Sequence, residues 1–194
     1  MRVIAGRARG RRLRGGPGQA IRPTASKTKG AIFSILFSRY EVDGVAVLDL
    51  FSGAGSLGIE ALSRGAARAT FIDVDPGSIR ILRANLESCG FAAESRVVQG
   101  SLPAALRRLA GQERFGGVFL DPPYEKGLVQ ATLGELGRLE LVEPGGWVVA
   151  EHSLAEAAGE AYGRLRLTHA RRYGKTALAI FVCDAEVDPT QAKR

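Results

Sequence analysis
From residue 45 onward, short continuous apolar runs alternate with stretches in which apolar residues return at helical spacing. The runs at 45–50 (VAVLDL), 69–74 (ATFIDV), 95–100 (SRVVQG), 116–123 (GGVFLDPP) and 145–153 (GGWVVAEHS) predict strands. Between them LGIEALSRG, PGSIRILRANLESCG, LPAALRRLAG and LVQATLGELGRL predict helices, as does LAEAAGEA after the fifth run. Ile79, Leu82 and Leu86 mark one helical face. Ahead of the alternation, Pro23 and Ser26 start a further helix, along which Ile32, Ile35, Leu36 and Arg39 follow helical spacing. Strand and helix in alternation require crossover connections, and hence a mostly parallel sheet with helices on both faces. RLRLTHARRYG and TALAIFVCD, joined through Tyr173-Gly174-Lys175, predict a closing antiparallel hairpin. The expected fold is therefore α/β and Rossmann-like: a doubly wound, mostly parallel seven-stranded sheet with a C-terminal antiparallel hairpin. The last residues, 185–194, have little to bury and read as a flexible tail.

Composition adds little until charge is located. With 194 residues, 45% hydrophobic and 24% charged, the chain fits one domain with a real core. No apolar stretch approaches the roughly 20 residues that span a bilayer, so a cytoplasmic protein without a membrane partner is expected. Cys89 and Cys183 read as reduced packing residues, and no ligand spacing suggests a metal. The net charge of +7, however, is concentrated: residues 1–40 carry ten Arg and Lys and no acid, whereas the remainder is net acidic. A localised block of arginines suits phosphate contacts, because neutralising phosphates releases counterions and Arg grips them bidentately. Val3, Ile4 and Leu13, punctuated by Gly6, Gly10, Gly15 and Gly16, predict that residues 1–22 form a small basic β-hairpin rather than a solvated tail.

Two motifs carry chemistry. In DLFSGAGSLG (49–58), Gly53, Gly55 and Gly58 form G-x-G-x-x-G between a strand and a helix, where backbone N–H groups can approach a ligand closely. Asp73 follows twenty residues after Gly53, at a second strand's end, where a carboxylate can accept ribose hydroxyls. Together they indicate a nucleoside cofactor, and a nicotinamide dehydrogenase would look similar. The second motif, Asp121-Pro122-Pro123-Tyr124, closes the fourth strand with an acid, two rigid residues and an aromatic ring. Two prolines give up two donors and fix two φ angles, which suits acceptors that must be held still. In a doubly wound sheet the ends of strands one and four face one crevice.

DLFSGAG, FIDVD and DPPY resemble the motifs of class I S-adenosylmethionine-dependent methyltransferases acting on exocyclic amino nitrogens. RVIAGRARGRRL, RPT, AIFSIL, DLFSGAGSLGIEALSRGA, DPPY, EH and YGKTALAIF resemble, in order over about residues 2–182, the bacterial 16S ribosomal RNA guanine-N2 methyltransferase family. The resemblance implies that residues 23–184 form a class I methyltransferase domain, with S-adenosylmethionine as cofactor and ribosomal RNA, free or within an assembled small-subunit particle, as partner; a monomer is the favoured state. It assigns catalysis to Asp121, Pro122, Pro123 and Tyr124. Asp121 and the Pro122 carbonyl would draw the hydrogens of a planar amine and aim its lone pair at the methyl, while Tyr124 stacks on the flipped base. Cofactor contacts fall on Asp49, Phe51, Ser52, Gly53, Gly55, Asp73, Val74, Gly100, Ser101 and Asp121, and RNA contacts on Arg2, Arg7, Arg9, Arg11, Arg12, Arg22 and Thr24.

The chain departs from the family pattern twice. Gly100-Ser101 stands where many relatives carry an acid after strand three, and Lys29-Gly30 where an Arg-Glu pair is more frequent. Other residues have plainer readings: Glu60 as a helix-face residue, Trp147 and His169 as packing or surface residues, and Glu151 and His152 as structural. The competing functions are a DNA adenine or protein glutamine amino-methyltransferase, which the same Asp-Pro-Pro-Tyr word would serve, and a nonenzymatic RNA-binding protein.

Overall fold
The computed structural model describes residues 1–15, 23–123, 127–156, 158–174 and 176–185, with 23–27 as backbone only. Helix α1 (Pro23–Arg39) leads into β1 (Ala46–Leu50), α2 (Ser56–Ser63), β2 (Arg68–Asp73), α3 (Pro76–Cys89), β3 (Ser95–Gln99), β4 (Phe115–Leu120) and α4 (Leu128–Arg138). Four strands complete the order: β5 (Val142–Ser153), β6 (Ala161–Tyr162), β7 (Leu165–Tyr173) and β8 (Thr176–Cys183). They form one sheet in the order β3-β2-β1-β4-β5-β8-β7-β6. Neighbours from β3 to β5 pair in parallel, and those from β5 to β6 antiparallel. Every residue of β1 and of β4 is buried, as continuous apolar runs covered on both faces should be. Strand order reverses between β1 and β4, where Leu50 pairs with Leu120, so the glycine loop and Asp121 leave adjacent strand ends.

The core has a half on each face of the sheet. One half holds Phe33, Leu36, Phe71, Leu82, Phe119, Trp147, Leu178 and Ile180, with the Phe119 and Trp147 rings edge-to-face at 5.0 Å. The other holds Leu106, Phe115, Leu133, Leu136, Val148 and Phe181. Burying each such side chain contributes about 1.5–3 kcal/mol.

The basic amino-terminal segment belongs to the first half. An antiparallel bridge joins Arg2 to Arg12, and the Val3 and Leu13 amides donate to Arg11 and Met1 carbonyls at 3.0 Å each. Val3, Ala8 and Leu13 are buried in the core. Gly6 adopts φ 80°, and a Cβ there would lie 1.7 Å from the Ser63 carbonyl oxygen, so the turn sits directly on the end of α2.

Three expectations needed correction. The sheet has eight strands, because the two-residue β6 lies where a helix over 154–161 was predicted. That stretch offers one large apolar side chain, Leu154, itself 43% exposed, among alanines, acids and Gly159, so no apolar face repays helix nucleation. The helix predicted over 102–111 is reduced to a 3₁₀ segment, Ala104–Arg108, confined between Pro103 and Gly111. The tail beyond 185, like Arg22 and Tyr124, lies outside the described residues.

Candidate functional site
Phe51, directly after β1, takes φ 57°, a left-handed value that is unusual for an aromatic residue, and Gly53 and Gly55 follow at 53° and 80°. This bend turns the chain into α2, whose N-cap, Gly55, has no side chain to satisfy the helix's free N–H groups. Asp49 supplies the missing acceptor from within β1: its Oδ2 receives the Gly58 N–H at 2.8 Å. Only glycine fits at 58, since a Cβ would meet Phe71 Cε1 at 2.4 Å and Asp49 Oδ2 at 3.0 Å.

Asp73 ties the second strand end to the same loop. Its Oδ2 accepts the Gly53 N–H at 2.7 Å and its Oδ1 the Asp75 N–H at 2.9 Å. Each carboxylate oxygen thus accepts one backbone N–H and retains further acceptor capacity. Asp75 caps α3 by accepting from the Ser78 amide, and Val74, between the two acids, is 60% exposed. Gly100 donates its N–H to the Asp73 carbonyl at 2.9 Å, which brings the end of β3 alongside, with the Ser101 side chain exposed.

Asp121 follows β4 with its side chain exposed at the lip, whereas Pro122 is buried and Pro123 exposed. The Asp121 and Asp73 charges both act on Asp49. Burial first, and then these two neighbouring acids, raise the Asp49 carboxyl to about 8 against the opposing Gly58 hydrogen bond. Ser52 Oγ, beside them, is buried without a hydrogen-bond partner among the described residues. The crevice thus combines clustered acids, an unpartnered buried hydroxyl and an exposed apolar shelf at Val74. Clustered carboxyl groups of this kind favour a cationic ligand over an anionic one. Two like charges about 6 Å apart repel by roughly 3 kcal/mol at an effective dielectric of about 20.

The arginines expected at RNA divide into two kinds. Arg7 is engaged in the fold: it stacks on Phe91 with 4.9 Å from guanidinium carbon to ring centroid and pairs with Glu94 at 3.2 Å. Arg2, Arg9, Arg11 and Arg12 are exposed and make no ion pair among the described residues. Thr24 falls in the first turn of α1. His152 is buried with Nδ1 2.9 Å from the Ser153 carbonyl oxygen, in keeping with a structural role. Cys89 and Cys183 are free thiols.

Two polar residues were missed by the sequence reading. Glu60, expected on a helix surface, is wholly buried and accepts from the Ile4 and Ala5 amides at 2.8 and 3.0 Å. Asn85 is 1% exposed and pairs with both backbone groups of Arg14, while its Nδ2 also donates to the Ala54 carbonyl at 2.9 Å. Asn85 therefore ties Arg14 of the basic arm to the glycine loop. The signal for Asn85 was present: it falls between Leu82 and Leu86 on the apolar face of α3.

A sheet parallel from β3 to β5 and antiparallel from β5 to β6, with its crevice at the β1/β4 reversal, is a Rossmann-like fold, and its neighbours among solved structures are methyltransferases. The chain belongs to the family described as conserved hypothetical protein 95, whose model matches residues 1–182. It is 38% identical over 182 residues to "Putative rRNA methyltransferase YlbH" of Bacillus subtilis (strain 168), covering 93% of this chain and 98% of that one. With "Ribosomal RNA small subunit methyltransferase D" of Escherichia coli (strain K12) it shares 35% identity over 151 residues, 78% of this chain and 71% of the relative. Among solved structures, "Putative methyltransferase yhhF from Escherichia coli" superposes with a TM-score of 0.82 at 29% identity, covering 96% of this chain and 99% of that chain.

Proposed function
We propose that this protein transfers a methyl group from S-adenosylmethionine to the exocyclic N2 of a guanine in small-subunit ribosomal RNA. The observation that carries the reading is the acid cluster of Asp49, Asp73 and Asp121 around the glycine bend. A nicotinamide dinucleotide would bring its pyrophosphate against these carboxylates. A methionine ammonium beside a sulfonium complements them instead. The ribosomal RNA target draws its support from the names of the relatives and from the basic arm packed beside the crevice.

The residues present fit the cofactor. Asp49 and the loop from Phe51 to Gly55 would hold the methionine end, with Ser52 Oγ finding its partner there. The remaining acceptor capacity of Asp73 would take ribose hydroxyls, and Val74, with the Gly100-Ser101 backbone, would border the adenine. Bound in this way, S-adenosylmethionine supplies an electrophilic methyl on a positively charged sulfur.

The chain's own contribution is positioning. The guanine amine is a poor nucleophile because its lone pair is delocalised into the ring. Asp121 and the carbonyl of Pro122 accept its two N–H groups, favouring a pyramidal nitrogen whose lone pair points toward the methyl, and Tyr124 stacks on the base. As the nitrogen gains the methyl and the methyl–sulfur bond breaks to leave a neutral thioether, the positive charge would pass to the nitrogen, where Asp121 would stabilise it until the proton is lost to solvent. An ordinary aspartate is a weak base, so alignment and charge stabilisation outweigh proton removal in its role.

Incubation with methyl-labelled cofactor and unmodified small-subunit RNA, followed by nucleoside digestion, tests the assignment. Label in N2-methylguanosine is expected. Label in N6-methyladenosine would transfer the same machinery to an adenine substrate.

A further inference from the structure
Arginines at the amino-terminal edge of the sheet are matched with acids. Arg68 and Arg96 face Glu113 at 3.8 and 3.1 Å, and Arg114 faces Glu140 at 3.3 Å. The β7–β8 hairpin repeats this contrast along a single strand. Arg166, remote from the crevice, pairs with Asp184 at 3.2 Å. At the other end of β7, the Arg171 side chain is exposed and makes no hydrogen bond or ion pair among the described residues. Arg172 is also exposed and gives only its Nε–H, to the Gly174 carbonyl at 3.0 Å, leaving its terminal nitrogens available.

Strand register places this unmatched end at the crevice. Leu120 pairs with Ala150, so Asp121 and Glu151 are the next residues along β4 and β5. Glu151 pairs with Leu178, and Leu178 with Arg171. Asp121, Glu151, Leu178 and Arg171 therefore stand in one row across four strands, about 14 Å from first to last at the usual strand spacing. The hairpin continues further, since Ser153 pairs with Thr176 and Tyr173 with Thr176. Its tip stands about 7 Å beyond the level of Asp121. Arg171 shares a face with Leu178, on the half of the core that also receives Val3 and Leu13 of the basic arm. Closer to the middle of β7 that face is covered: the Tyr40 hydroxyl lies 3.1 Å from Thr168 Oγ1 and 3.5 Å from His169 Nδ1. Arg171 lies past this cover. On the other side of the crevice, Arg14 is exposed, and Asn85 ties its backbone to the glycine loop.

We propose that the tip of the β7–β8 hairpin, with Arg171 on one face and Arg172 on the other, is a second phosphate-binding element for the RNA, on the rim opposite the basic arm. It rests on the RNA methyltransferase reading. A base drawn out of its stack pulls its flanking backbone toward the protein on both sides, and a grip on each rim holds both flanks while Asp121 engages the amine. Charges on an open strand edge also deter edge-to-edge pairing. Arg166, on the same strand but paired with Ala161 of β6 and with Asp184, is the control for loss of a β7 charge away from the crevice.

The test compares wild type, Arg171→Ala/Arg172→Ala and Arg166→Ala, using unmodified small-subunit RNA as probe. Methylation rates are measured against RNA concentration, RNA binding between about 50 and 200 mM salt, and S-adenosylhomocysteine affinity by calorimetry. The double variant is expected to raise the KM for RNA on the order of tenfold and to flatten the logarithmic salt slope by about 1.4, two contacts at about 0.7 each. Its rate at saturating RNA and its S-adenosylhomocysteine affinity stay at wild-type values, and Arg166→Ala behaves as wild type. An active wild type with an unchanged KM and slope in the double variant overturns the hairpin surface alone, as does an equal loss in Arg166→Ala. A wild type that methylates no RNA removes the underlying reading and this surface with it.

Discussion

Lys29 Nζ lies 3.0 Å from Glu60 Oε2, with 4% of the lysine side chain and none of the glutamate exposed. Arg64 adds a second cation at 2.8 Å, and the Lys29 ammonium also donates to the Arg2 carbonyl at 2.8 Å. One carboxylate thus joins α1, α2 and the start of the basic arm. Removing one partner of a buried pair leaves the other charge stranded, so Glu60→Ala is expected to lower unfolding free energy by about 3–5 kcal/mol. Urea denaturation measures the loss. A change within about 0.5 kcal/mol would show that the arm docks by its apolar residues alone.

The same site predicts a pH response. Burial raises the Glu60 carboxyl, but the Ile4 amide, Lys29 and Arg64 together outweigh it and hold the group below its usual value. A depressed folded-state acid contributes stability above its unfolded value and loses it as pH falls through the folded one. Wild type should therefore lose more stability on acidification below about pH 4.5 than Glu60→Gln does, as denaturant midpoints across that range would record.

Asp49 runs the other way. With its carboxyl raised to about 8, the folded chain holds a proton that the unfolded chain has released above about pH 4, and Asp49's contribution to stability declines as pH rises toward 8. A cationic ligand favours the carboxylate. Binding of S-adenosylmethionine at pH 7 should release up to one proton, seen as a binding enthalpy that varies with the buffer's ionisation enthalpy. Asp49→Asn should abolish that variation.

Asp121→Ala is expected to reduce the methylation rate by about a hundredfold or more while leaving S-adenosylhomocysteine affinity within a few fold. Because Asp121 lies at the exposed lip, stability should change little. Parallel losses of rate and cofactor affinity would instead make holding the cofactor, not positioning the amine, the main role of Asp121.

Much of this architecture was legible in the chain. β1, β2 and β4 declare themselves as continuous apolar runs because both their faces are covered, and α3 shows its buried face in Ile79, Leu82 and Leu86. The reversal between the first and fourth strands follows from their order, and it sets Asp73 and Asp121 within electrostatic reach of Asp49. Glu60 was misread because a helical wheel shows only which face a side chain occupies. The cover is the arm, 55 and 56 residues away in sequence. Residues 154–161 were misread because alanines support a helix in isolation, whereas here nothing apolar is available to fix one. The division of arginines into matched and unmatched sets was equally invisible, since it depends on which glutamates the fold brings alongside.

A crevice at the β1/β4 reversal suited to a cationic nucleoside cofactor has a direct calorimetric signature, read by titrating the purified protein with S-adenosylmethionine, S-adenosylhomocysteine and NAD. Saturable binding of the first two, with no heat from NAD, is the predicted result. Binding of NAD without either sulfur compound would contradict it.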